Sequence, residues 1–321
     1  MGQYTVVVTD HDFADLSVER DALDGVADVV DLSAESDAGV ADALAAADGV
    51  LNLRYDLDAD LVERMERCAI IARYGIGVDN VAVEAAAARG IPVTNVPEYC
   101  LEEVATHALS LLLALDRGLK PYDASVGSGA WDREAATPLR RFSTRTVGVV
   151  GYGAIGRAVG RRVDALGADV VASDPFLAPE DLADDPAALL PFEDLLDRAD
   201  YVTVHSPLTD DTRGLFDADA FDRMKPSAAL VNVARGPIVD GAALRAALDD
   251  GEIRGAGLDV FPEEPPAGDD PLRDHPRVLT TPHVAWYSEE ANADRRRAAA
   301  ENVRAALTGG RPDDVVNGVD P

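Results

Sequence analysis

Residues 146–174, TVGVVGYGAIGRAVGRRVDALGADVVASD, constrain the fold more than any other stretch of the chain. An apolar strand through Val147, Val149 and Val150 runs into Gly151-Tyr152-Gly153-Ala154-Ile155-Gly156. A helical pattern follows, and a second apolar strand over 169–172 leads to Asp174. Each piece has a physical reason to be there. Gly151 permits a tight turn, Gly153 lets backbone N–H groups approach a pyrophosphate, and Gly156 lets the helix lie close on the strand. The helix N-terminus is then placed to hold an anion. Asp174, 18 residues after Gly156, can accept hydrogen bonds from an adenosine ribose. Three glycines alone would say little; strand, glycines, helix, strand and acid in register describe a dinucleotide-binding unit.

About 150 residues precede that motif, enough for a domain of their own. Residues 4–94 alternate apolar strand patterns (4–9, 26–31, 49–53, 69–73 and 92–94) with helical stretches rich in Ala, Asp and Glu, such as 37–47 and 81–88. That alternation predicts a separate parallel-sheet α/β unit. Pro97 to Cys100 then open an amphipathic helix over 101–119, with later strands expected at 201–205, 229–233 and 255–259. The last helix, 288–307, has no strand after it, so it is expected to return to the first domain. The predicted architecture is two doubly wound parallel-sheet domains. A Rossmann cofactor domain, 99–286, is inserted into a flavodoxin-like substrate domain formed by 1–98 and 287–321. Residues 177–190 and 262–275 are expected as acidic, proline-bearing loops, and His11 and His275 as exposed loop residues.

Net charge is −30, from 59 acidic and 29 basic residues, and Lys120 and Lys225 are the only lysines. A surface with no basic stripe to release phosphate counterions excludes nucleic acid and anionic membrane as partners. Acids in this excess repel one another unless salt screens them, which predicts a halophilic protein. Two cysteines, Cys68 and Cys100, make no disulfide framework and suit a reducing cytoplasm. The N-terminus MGQYTVVVTD has no basic region and no signal core, so no export is expected. No His/Cys cluster has ligand spacing, and no metal is expected.

Three polar signatures follow the late strands, where open α/β sheets bind ligands. Arg235 in NVARG (232–236) can grip a carboxylate bidentately and polarise the adjacent carbonyl. His283 in TPHVAW (281–286) can give a proton to that oxygen as hydride reaches carbon. Glu264, in GLDVFPEEP (257–265), can orient the imidazole and favour its protonated form.

With RYGIGVDN at 73–80 and the 151–156 glycines, these segments resemble the D-isomer-specific 2-hydroxyacid dehydrogenase family over essentially the whole chain. YCLEEVATH (99–107) and TPHVAWYSEEA (281–291) are similar to its C-terminal-binding-protein-like branch in particular. The resemblance implies that Arg235, Glu264 and His283 are catalytic and that the cofactor is NAD. It further implies NAD contacts at Gly151, Gly153, Ala154, Ile155, Gly156, Asp174, His205, Ser206, Val233, Ala234 and Asp259. The substrate, a small 2-keto or 2-hydroxy acid, is expected in the cleft between the domains. The Ile76 and Gly77 backbone, Arg235 and His283 would hold it there, with Trp286 and Arg54 shaping selectivity. Trp286 favours an apolar side chain longer than pyruvate's, whereas Arg54 would suit an anionic one. A homodimer is implied by the same precedent. Phosphoglycerate dehydrogenase, without its appended regulatory domain, and an NAD-sensing corepressor of the C-terminal-binding branch are the alternative functions. A formate dehydrogenase is disfavoured, because that relative has glutamine where Glu264 stands. His107, on the 101–119 helix, is expected to pack against a neighbour, and the leucine-rich face of that helix to serve core or dimer.

Overall fold

The valines of β1 (Tyr4–Val8) sort themselves by the two-residue period of a strand. Val7 packs to one side with Leu44, Val62 and Met65, and Val6 and Val8 to the other with Leu51, Val303 and Leu307. A strand buried on both faces needs helices on both, which is what βαβ crossovers supply. The computed structural model describes residues 2–319. These fall into two compact units, residues 2–100 with 288–319, and Leu101–Tyr287.

In the first unit β1 is joined by β2 (Ala27–Asp31), β3 (Gly49–Asn52), β4 (Ile71–Arg73) and β5 (Val93–Thr94). All pairings among them are parallel, in the order β2-β1-β3-β4-β5. This is the flavodoxin-like order. The helix Glu289–Leu307 belongs to this unit and lays Ala299, Val303 and Leu307 on the β1 side of the sheet. Ser288 caps it, accepting from the Ala291 N–H at 2.9 Å. Arg296 anchors it through two hydrogen bonds to the buried Glu19, at 2.9 and 2.6 Å.

The second unit has seven parallel strands: β6 (Thr146–Val150), β7 (Asp169–Ser173), β8 (Ala187–Leu189), β9 (Tyr201–Val204), β10 (Ala229–Asn232), β11 (Gly255–Leu258) and β12 (Val278–Thr280). Their order, β12-β11-β10-β9-β6-β7-β8, changes direction between β6 and β9. Ligands of such sheets bind at that reversal, beyond the carboxyl ends of the strands. The helix Leu101–Arg117 covers one face; a Cβ on Gly257 of β11 would sit 3.1 Å from that of Leu111.

Some elements differ from the sequence expectation. β8 lies within the stretch expected as an acidic loop, because three residues between Asp185, Pro186 and Pro191 carry too short a pattern to read. The helix expected over 101–119 ends at Arg117, where Gly118 adopts the left-handed conformation (φ 61°), and a second helix, Leu119–Gly127, begins. His11 and His275 are not exposed: their side chains retain 11% and 10% of their surface. His11 stacks on Phe13 and pairs with Asp31, while His275 pairs with Asp249. An acid-rich chain offers histidines carboxylate partners that local pattern does not disclose.

Candidate active site

The glycine loop at the end of β6 forms a cradle that side chains would fill. Gly151 has φ 83°, and a Cβ there would meet the Ser206 N and Oγ at 2.6 and 2.7 Å. On Gly156 a Cβ would lie 2.3 Å from the Gly151 carbonyl oxygen, which fixes how closely the helix Ala154–Ala165 approaches the loop. Gly153, at the helix N-cap, has open space before it, and no side chain caps the first turn. The Ala154 and Ile155 amides therefore present an uncapped helix end, suited to a pyrophosphate. Asp174, just past β7, accepts from the Tyr152 N–H at 2.9 Å and the Phe176 N–H at 3.0 Å. Its carboxylate is thus fixed beside the loop, where a ribose would be read. These residues fit a dinucleotide.

His205 and Ser206 follow β9, against Gly151. Burial pushes the His205 imidazole down to about 3, and its Nε2 lies 2.9 Å from the Thr203 hydroxyl. Such burial disfavours the charged imidazole, which suits a packing group better than a proton carrier. After β10, the Asn232 side chain shapes the turn that carries Val233, Ala234 and Arg235. Its Oδ1 accepts from the Ala234 N–H at 3.0 Å, and its Nδ2 donates to the Arg235 carbonyl at 2.9 Å.

Arg235, Glu264 and His283 all lie beyond the carboxyl ends of neighbouring strands β10, β11 and β12. Gly236 sets the spacing of the first two segments: a Cβ on it would fall 2.0 Å from the Phe261 carbonyl carbon. Glu264 accepts from the Phe261 N–H at 3.0 Å through Oε1 and contacts His283 Nδ1 at 2.6 Å through Oε2. Burial alone would raise the Glu264 pKa, but the hydrogen bond and charge of His283, with Arg235 nearby, bring it below the usual carboxylate value. The imidazole is therefore held at Nδ1, and Nε2 is the nitrogen left to exchange a proton. His283 has φ 50°, the left-handed region that few side chains adopt. Asp259 maintains that turn: it is 1% exposed and accepts from the Thr281 hydroxyl and from the Val284 and Ala285 N–H groups. The Trp286 indole donates to the His283 carbonyl at 2.9 Å, so the expected selectivity residue also braces the turn that carries His283.

In the first unit, Ile76 and Gly77 lie in the loop after β4, with the Ile76 carbonyl accepting from Asn95 Nδ2 at 2.7 Å. Among the described residues, neither N–H group makes a hydrogen bond. Arg54 follows β3 and pairs with Asp12 at 2.8 Å while its side chain stays 64% exposed. Gly236 and Thr281 stand inside the NVARG and TPHVAW motifs, which by themselves give neither a role. The glycine after Arg235 and the threonine before Pro282 were the available signals, but the contacts they serve are long-range. Among the described residues no group of three or more His, Cys, Asp or Glu could hold a metal, and no helix is long and apolar enough to cross a membrane.

Residues 109–285 match the family model described as D-isomer specific 2-hydroxyacid dehydrogenase, NAD binding domain. The chain is 43% identical over 261 residues to D-3-phosphoglycerate dehydrogenase of Mycobacterium leprae (strain TN), covering 81% of this chain and 49% of that protein. It thus spans about half the length of that relative. It is 38% identical over 270 residues to glycerate dehydrogenase of Methylorubrum extorquens, covering 82% of this chain and 83% of that protein. Its fold is similar to the crystal structure of an NADPH-dependent glyoxylate/hydroxypyruvate reductase of Sinorhizobium meliloti in complex with NADP and malonate. That match has a TM-score of 0.87, 31% identity, and covers 99% of this chain and 98% of that one.

Proposed function

The chain belongs to the D-isomer-specific 2-hydroxyacid dehydrogenase family, and from that premise we propose that it is an NAD(H)-dependent 2-keto acid reductase. The observation that carries this reading is the 2.6 Å contact between Glu264 and His283 Nδ1, one strand end away from Arg235. Reduction of a ketone needs a proton donor held in one orientation and a cation to polarise the carbonyl. His283 Nε2 gives the proton to the carbonyl oxygen, and Glu264 stabilises the imidazolium that precedes that transfer. Arg235 takes the substrate carboxylate and draws charge toward the oxygen as it becomes an alkoxide. When bound, the nicotinamide supplies the hydride. The glycine loop with Ala154 and Ile155, Asp174, Ser206, Val233, Ala234 and Asp259 would hold that cofactor, with His205 packed beneath.

We assign the substrate carboxylate also to the Ile76 and Gly77 N–H groups, and selectivity to Trp286 and Arg54. Asp174 favours NAD over NADP, because a carboxylate repels a 2′-phosphate. The mycobacterial similarity supports phosphoglycerate dehydrogenase as a second reading. Turnover of pyruvate, 2-ketohexanoate and phosphohydroxypyruvate with NADH and NADPH separates them: preference for the phosphorylated acid would favour the second. His283→Ala is expected to cost about 10²–10⁴ in kcat while NADH still binds; a variant near wild-type turnover would overturn the assignment.

The C-terminal-binding-like segments at 99–107 and 281–291 support assigning the chain to that branch, and a cytoplasmic setting suits two buried cysteines that form no disulfide. A homodimer would cover the helix Leu119–Gly127, which buries none of its residues, together with exposed Leu119, Val126 and Trp131. Sedimentation equilibrium decides between monomer and dimer.

A further inference from the structure

His107 lies on the helix Leu101–Arg117, far in sequence from the catalytic turn, yet its imidazole reaches the residues that shape that turn. Its Nε2 is 2.9 Å from Thr281 Oγ1 and 3.7 Å from Asp259 Oδ1. The Thr281 hydroxyl donates to Asp259 Oδ1 at 2.5 Å. A hydroxyl has one hydrogen, and here it is spent on the carboxylate, so toward His107 the oxygen can only accept. The hydrogen between them must sit on His107 Nε2, which fixes the tautomer by the network around it.

Asp259 is where this chain of bonds acts. Its Oδ1 also accepts from the Val284 N–H and its Oδ2 from the Ala285 N–H, both at 2.9 Å, while its carbonyl accepts from the His283 N–H at 2.7 Å. Four bonds to one buried residue thus bend 281–285 around Asp259, and His283 takes its left-handed backbone at the centre of the bend. A residue in that region persists only when its surroundings over-determine it. Every one of these bonds stays within the strand-end loops except one, and that one comes from the helix.

We infer that His107 is a positioning residue: by donating from Nε2 to Thr281 it locks the Thr281–Asp259 pair and so aims the His283 imidazole. The inference rests on the proposed role of His283 in turnover. It assigns His107 neither substrate nor proton transfer. Removing the donor leaves Thr281 free to turn its hydroxyl away from Asp259, loosening the bend without emptying the core.

Two variants and two readouts test this. His107→Leu removes the donor, and His107→Gln places an amide N–H near the position of Nε2. His107→Leu is expected to lower kcat about tenfold, since a misaimed proton donor is costly, while the KM values for NADH and keto acid hold within about twofold. His107→Gln is expected to recover most of the loss. Thr281→Val should match His107→Leu, and the double variant should be no worse than either, because both break one chain. Amide hydrogen exchange, which needs no turnover, should quicken at Val284 and Ala285 in His107→Leu and slow again in His107→Gln. Wild-type kcat and protection in His107→Leu, or a glutamine variant as impaired as the leucine one in both readouts, would overturn the inference. Should the wild type reduce no keto acid while exchange follows the expected pattern, the functional reading falls and the positioning of the turn stands.

Discussion

Two histidines, one after β9 and one after β12, stand in opposite surroundings. His283 is bound to a carboxylate and half-exposed; His205 has a threonine hydroxyl and little solvent, and burial brings it from 6.5 down to about 3. A group that binds its proton less readily when folded stabilises the fold above its unfolded pKa and loses that contribution as pH falls. For His205 the loss runs from about 6.5 down through about 3. Urea midpoints at constant salt should therefore fall across that range, and His205→Gln should flatten the fall. An unchanged slope in the variant would show that the imidazole does not set it. Glu264 also sits below its ordinary 4.5, so its contribution is present above that value and fades only beneath it, in a lower window. At this scale the candidate trio is legible in the sequence, because the arginine, the glutamate and the histidine each stand in a recognisable motif. The sequence does not disclose their supports. Thr281 and His107 act through bonds to residues 22 and 174 positions away, and no local pattern encodes such pairs, whereas the Asn232 side chain bonds two and three residues ahead.

Among elements, the closest approach near the site is between the turn after β10 and the segment after β11. A Cβ on Gly236 would lie 2.0 and 2.1 Å from the Phe261 carbonyl carbon and oxygen, and 2.4 Å from Pro262 N. Backbone cannot rotate aside as a flexible side chain can, so Gly236→Ala must push the segments apart. Glu264, three residues beyond Phe261 and bonded to its N–H, would move with them. The expected result is a kcat loss of about tenfold or more, from withdrawal of Glu264 from His283. Stability should fall by about 1–3 kcal/mol, the usual cost of overpacking. NADH affinity should fall less than kcat, because the glycine loop, Asp174 and Ser206 lie at other strands and only Val233, Ala234 and Asp259 lie near the displaced segments. Steady-state kinetics, chemical denaturation and fluorescence titration check the three parts; unaltered kcat would show that the spacing is not set at Gly236. Fold class was legible because buried parallel strands are long apolar runs with glycine turns between them. β8 and β12 are not legible as strands, since three-residue edge strands carry less pattern than a loop can mimic.

Across the whole molecule, uncompensated acidic charge works against compactness. Net charge is −30, yet the few lysines do not serve as surface counter-ions. Lys120 donates to the Val278 and His275 carbonyls at 2.5 and 3.0 Å, tying the helix Leu119–Gly127 to β12. Lys225 donates to the Arg198 carbonyl at 2.6 Å and pairs with Asp200. Both cations are engaged with the fold itself, leaving arginines to meet 59 acids. Exposed pairs such as Arg64–Asp42 contribute little individually, so they cannot offset repulsion summed over the surface. Dissolved cations can, since the screening length shortens from about 10 Å at 0.1 M to about 3 Å at 1 M salt. We therefore propose a halophilic setting, in which melting temperature climbs steeply as KCl is raised from dilute to molar. Sucrose at matched osmolarity separates screening from general exclusion effects: it should raise the melting temperature far less than KCl does. A curve flat in KCl, or sucrose as effective as salt, would count against charge as the controlling variable. Sedimentation along the same series reads the second consequence: two copies of so acidic a chain should associate only once salt has shortened the reach of their repulsion.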